Sequence, residues 1–74
     1  MIALMPVGSN QTELKLNNGT VVFFSYQTPV GARIANEYYK TTQKYSRTTS
    51  KHLSRWAGEN AIEKPQSFFD NLAA

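Results

Sequence analysis

Apolar and polar residues alternate through Glu13-Leu14-Lys15-Leu16, break at Asn17-Asn18-Gly19-Thr20, and resume as the apolar run Val21–Phe24 before Ser25-Tyr26. Alternation at a period of two marks a strand with one covered face. Asn-Gly between two such runs signals a hairpin, because a type I′ turn needs positive φ at both central residues. A two-residue turn at Asn18-Gly19 predicts Leu16 opposite Val21 and Leu14 opposite Phe23. Glu13 and Lys15 then fall on the other face, across from Phe24 and Val22. Since Val21–Tyr26 is apolar on both faces, it is either a central strand covered on both sides or a strand that displays rings for binding. Buried rings dominate small cores, so the covered reading is preferred.

Further along, Gln27–Gly31 interrupts the ladder, because Pro29 lacks a donor and Gly31 loosens the backbone. Arg33–Ala35 resumes a strand, Asn36-Glu37 reads as a turn, and Tyr38–Thr42 has strong β propensity. Tyr38, Lys40 and Thr42 share one face of that strand, with Tyr39, Thr41 and Gln43 on the other. After Ser46 the period lengthens: Leu53, Trp56 and Ala57 stand at i, i+3 and i+4, Thr48, Thr49 and Ser50 are good N-caps, and Gly58 is a natural stop. These positions predict a helix from about Ser50 to Ala57 with Lys51, Ser54 and Arg55 outward and His52 at the edge. Pro65 followed by Phe68, Phe69 and Leu72 predicts a second short helix. Ile2–Met5 is a candidate N-terminal edge strand. The expected fold is α+β: a small antiparallel sheet of three to four strands opening on the hairpin, followed by one or two short covering helices, in one domain over residues 1–74.

Size and composition narrow the picture. A chain of 74 residues buries only about 60% of the surface that its unfolded form exposes, so its stability is marginal and homodimerisation is a natural remedy. It has no cysteine, and its one His and five scattered carboxylates show no metal-ligand spacing, so neither a metal nor a cofactor is expected. No glycine-rich phosphate loop, paired-carboxylate site or nucleophile elbow is present, and the expectation is a protein without enzymatic activity. The opening MIALMPVG is too short for a membrane span and lacks the basic start of a signal peptide. Without such a signal, Asn10-Gln11-Thr12 and Asn18-Gly19-Thr20 read as chance sequons, and the expected compartment is the cytoplasm, with no membrane partner.

Charge changes the picture more. The net charge is +3, yet the first 32 residues hold one Lys and one Glu, while Lys40–Arg55 holds five of the eight Lys and Arg and no acid. Lys40, Lys44, Arg47, Lys51 and Arg55 form an electrostatic footprint for a polyanion. Thr48, Thr49 and Ser50 add hydroxyls suited to phosphate oxygens, His52 a further polar contact, and Tyr45 or Tyr38 a ring on which a base can stack. The run also ends at a helix N-terminus, whose free N–H groups attract anions. The plainer reading of the same residues is a helix cap with solvated charges. A lone His without Asp, Cys or Ser at motif spacing is more often structural than catalytic.

Three pieces of the chain, Ser25-Tyr26-Gln27-Thr28-Pro29-Val30, Tyr38-Tyr39-Lys40-Thr41 and Lys44-Tyr45-Ser46-Arg47-Thr48-Thr49-Ser50-Lys51-His52-Leu53, resemble a group of small tailed-phage proteins of unknown function. Members carry SYxTPVA, YY(K/R)T and YSxTT(S/T)(K/R)H in that order. The similarity spans roughly Val21 to Trp56, with Gly31 where the pattern has Ala. The resemblance implies a protein made in an infected bacterium and acting in its cytoplasm, where small phage proteins bind nucleic acid or redirect host proteins. It carries over no catalytic residue.

Two functions follow as expectations. The first is an accessory protein binding DNA or RNA non-specifically through the basic, hydroxyl-rich strand-to-helix segment. The alternative is a protein-interaction module that binds or inhibits a host protein such as a defence component, with Phe24, Tyr26 and Phe68 as anchors. A homodimeric virion piece is a third reading.

Overall fold

The computed structural model describes residues 2–73. A six-stranded sheet is built from β1 (Ala3–Gly8), β2 (Gln11–Lys15), β3 (Val21–Ser25), β4 (Thr28–Ile34), β5 (Glu37–Thr41) and β6 (Ile62–Lys64). Helix α1 (Arg47–Ala57) lies between β5 and β6, and α2 (Gln66–Ala73) closes the described chain. Strand order follows chain order. The first five strands pair antiparallel, whereas β6 pairs parallel to β5. The α+β class stands, but the expected three-to-four-stranded antiparallel sheet is wrong. The sheet has six strands and is mixed. Of the two edges, β1 at Ala3–Gly8 overlaps the candidate edge strand at Ile2–Met5, and the unanticipated one is the three-residue β6. A strand that short gives no period, and parallel pairing is possible only because α1 serves as the crossover.

The β2–β3 turn corrects the predicted register. Leu16 N–H donates to Thr20 O (2.8 Å), Gly19 N–H donates to Leu16 O (3.1 Å), and Gly19 takes φ +86°. That makes a three-residue loop with glycine in the left-handed position, not a two-residue turn. Lys15 therefore pairs with Val21, Leu14 with Val22, and Glu13 with Phe23. One extra loop residue moves the partner strand by one position and exchanges its faces. The β4–β5 turn is likewise one residue earlier than expected: Ala35 (φ 52°) and Asn36 (φ 69°) form it, and Glu37 opens the next strand. Gln27–Gly31 does not break the ladder either, because a bulge between the Phe23/Gly31 and Phe24/Pro29 pairs absorbs Val30 and tolerates the proline.

Neighbouring residues of β5 show how the layers stack. Tyr38 meets Trp56 of α1 edge-on at 5.2 Å, and Tyr39 meets Phe68 of α2 at 5.6 Å. Successive side chains in a strand point to opposite faces, so the two helices cover opposite faces of the sheet. On the first face, Leu53, Trp56 and Ala57 pack on Phe23 and Val30. Gly31 lets α1 sit close: a Cβ there would lie 3.0 Å from Leu53 Cδ1 and 3.1 Å from Trp56 Cζ3. On the second face Phe69 is fully buried, and Gln66 ties α2 to the sheet through Pro29 O (2.7 Å) and Thr41 Oγ1 (2.8 Å). Val22 and Phe23, both 0% exposed, confirm β3 as the doubly covered central strand.

Helix α1 begins three residues earlier than predicted, at Arg47. Ser46 is the N-cap, not Thr48, Thr49 or Ser50; its Oγ accepts from Thr49 N–H at 3.2 Å. Gly58 ends the helix at φ +80°, its N–H donating to Ser54 O at 3.0 Å. Among the described residues, no helix is long and apolar enough to cross a membrane.

Candidate nucleic-acid interface

The inner side of α1 is joined to the sheet by a chain of hydroxyls. Ser46 Oγ donates to Thr49 Oγ1 (3.3 Å), Thr49 Oγ1 meets Ser25 Oγ (3.0 Å), and Ser25 Oγ meets His52 Nδ1 (3.0 Å). If each hydroxyl donates onward, the chain ends on an acceptor Nδ1 and assigns the His52 proton to Nε2. Ser25 is 2% exposed and Thr49 7% exposed, and no buried side-chain polar atom among the described residues lacks a partner. Thr49 therefore leaves the set expected to touch phosphate: its hydroxyl is spent inside. Ser25 and His52 have the distance of a nucleophile and its base, but the serine is sealed beneath the helix and the pair acts as a clasp. Trp56 extends the same polar seam, stacking on Phe23 at 4.8 Å while its Nε1 donates to Glu13 Oε2 at 2.8 Å. That bond exists only because of the one-residue register shift, which brings Glu13 onto the face of Phe23.

The outer side carries the charge. Arg47, Lys51 and Arg55 succeed one another at intervals of four residues and form one exposed stripe along the helix. Lys44, Tyr45, Ser46, Arg47, Ser50 and Lys51 line an open groove of about 410 Å³ with no carboxylate in its walls. The first turn of α1 contains no acid, so the positive end of its dipole adds to Lys44 and Arg47. Thr48 is exposed one turn before His52, on the flank of the stripe. Lys40 is set off by its register partner on β6, Glu63; the two line an adjoining depression of about 180 Å³, whose walls Lys44, Tyr45 and Ser54 share. The expected cations thus divide into a continuous group of Lys44, Arg47, Lys51 and Arg55, and Lys40 beside an acid.

The rings divide too. Tyr45 is 48% exposed at the shared wall of both depressions. Partial desolvation, and secondarily the Asp70 carboxylate, raise its phenol above the ordinary value, so it remains a neutral hydrogen-bond donor. Tyr38, the other stacking candidate, is half-buried against Trp56 and belongs to the packing of α1. His52 is half-buried, and the ring nearest to it is Tyr26, 6.2 Å away. Ser25 gave one signal in the sequence, a small hydroxyl closing an apolar run, but its partners lie 24 and 27 residues away.

Fold and surface together define a small α+β domain with a cationic, hydroxyl-bearing helix face. Residues 2–71 match a family of unknown function (DUF8033), and the chain belongs to that family. No curated protein matches it. No solved structure matches it.

Proposed function

We propose that this chain is a small accessory protein of tailed-phage type that binds nucleic acid, DNA or RNA, non-specifically through the outer face of α1 in the cytoplasm of a host bacterium. One observation carries the reading: Lys44, Arg47 and Lys51 converge with Tyr45, Ser46 and Ser50 on a groove with no acid in its walls, and Arg55 continues the line. Backbone contacts neutralise phosphates without reading bases, so affinity depends on salt and little on sequence. With four cations engaged, the logarithm of the association constant should fall with the logarithm of salt concentration at a slope of about −3 to −4 on duplex DNA. A salt titration with fluorescent oligonucleotides measures this. Lys51→Ala/Arg55→Ala should reduce the slope by about 2. A flat salt response, or no binding even at low salt, would sink the reading.

A second reading rests on β1. Leu4 and Val7 are exposed on an edge strand whose outer backbone groups have no neighbouring strand in the sheet, a surface on which a host protein or a second copy of the chain can add a strand. Recovery of a stoichiometric host protein from nuclease-treated lysate, lost on Leu4→Lys, would favour it.

A further inference from the structure

Tyr26 is the feature that neither the core nor the cationic groove uses. It occupies the two-residue turn between β3 and β4 with φ +58°, a conformation open to glycine and strained for a bulky residue. Its N–H is held by Asn10 O at 2.7 Å, and its ring is 51% exposed. The fold needs a turn there and has no use for a ring.

The ring has a companion. The His52 imidazole lies 6.2 Å away, tilted by 36°, and its Nδ1 is held by buried Ser25, itself bonded to Thr49. The pair presents two neighbouring ring faces inclined to one another, and the second member cannot turn freely. His52 follows Lys51 in the helix and stands three residues before Arg55, so this surface borders the cationic stripe. Tyr45 borders the same stripe from the groove side. Exposed rings therefore flank a line of cations on both sides.

We infer that the ligand is single-stranded nucleic acid, with a base stacked on the Tyr26/His52 surface, a second on Tyr45, and the connecting phosphates on Arg47, Lys51 and Arg55. This rests on the nucleic-acid reading above and goes further by choosing the strand state. Bases in a duplex already stack on each other and offer no free face to a ring, whereas an unpaired strand does. Every base has such a face, so recognition tolerates any sequence. Tyr26 and His52 supply orientation by stacking, and the cations supply most of the affinity.

The test compares a fluorescent oligothymidine with a duplex of equal length, for the parent chain, Tyr26→Gly, Tyr26→Phe and Lys51→Ala/Arg55→Ala, with thermal melts of each. Glycine accepts the positive φ, so Tyr26→Gly should melt no lower than the parent. It should lose roughly tenfold to a hundredfold in single-strand affinity, the range for one stacked base, with duplex affinity changed less than about twofold. Tyr26→Phe should keep the parent's affinity. Equal losses on both ligands, no loss with Tyr26→Gly, or a parent preference for duplex overturns the inference. Binding abolished by the double variant but untouched by Tyr26→Gly overturns stacking and leaves the electrostatic reading standing. No binding to either ligand overturns both.

Discussion

The two faces of the sheet are closed by helices of opposite character. Helix α2 is short and aromatic: Phe69 is fully buried, and Phe68 packs on Tyr39 at 5.6 Å and on Phe69 at 5.1 Å. Helix α1 presents Leu53 and Trp56 to the sheet, but the rest of its contact is a polar seam of Ser46, Thr49, Ser25 and His52, plus the Trp56–Glu13 bond. Among the described residues, directional contacts on the α2 face are confined to Gln66 at the helix start, bonded to Pro29 O and Thr41 Oγ1; the rest is apolar burial, which is non-directional and specifies rotation weakly. A hydrogen-bonded seam is directional, and each member left alone would be costly. The α1 face accordingly sets one rotation of its helix, and that rotation points Arg47, Lys51 and Arg55 outward together.

Removing the aromatic anchor should break the comparison most severely. Phe69→Ala should destabilise the chain by about 3–5 kcal/mol, a large share of what so small a domain possesses. Urea unfolding followed by circular dichroism measures it, and a loss of less than about 1 kcal/mol would mean that α2 is dispensable. Cutting the polar seam should cost less and act differently. Ser25→Ala leaves Thr49 and His52 short of a partner and should cost about 1–3 kcal/mol. It should also loosen the orientation of His52, seen as a shift and broadening of its imidazole resonances. A stability loss with unchanged imidazole signals would show that the seam does not hold the ring.

The smallest effect concerns Tyr45, which feels the carboxylate of Asp70 on α2. Its phenol ionises above 10.0, from partial desolvation first and Asp70 second. The folded chain thus favours the neutral form, so this contribution to stability is complete below the unfolded value of 10.0 and is lost as pH rises through the folded value. Asp70→Asn should move the tyrosinate transition toward 10.0 in an ultraviolet titration of single-Tyr variants. An unmoved transition would show that the carboxylate does not reach the phenol.

Particular elements show what could be read early. The Leu53–Trp56–Ala57 spacing and Gly58 located the end of α1, since period and cap chemistry are local. Its start was missed by three residues because Ser46, Thr48, Thr49 and Ser50 are all competent caps. Which one is used depends on Thr49 turning inward to Ser25, a contact across 24 residues. The basic segment was legible as a cluster. Its division was not, because Glu63 reaches Lys40 only through the parallel β5–β6 pairing. Tyr38 left the stacking candidates for the same kind of reason: exposure of a ring follows from what packs on it, and Trp56 packs on Tyr38.

By itself, then, the sequence determined the central apolar strand, the two helical stretches and the gathering of cations between Lys40 and Arg55, all properties of neighbouring residues. Only the tertiary structure decided the strand count, the pairing of Glu13 with Phe23, and which hydroxyls and rings face solvent. A side-chain period of two lets one extra residue in the Asn17–Gly19 loop exchange the faces of a strand, and the consequence, Glu13 beside Trp56 across 43 positions of chain, is visible only once the strands are paired and α1 is docked.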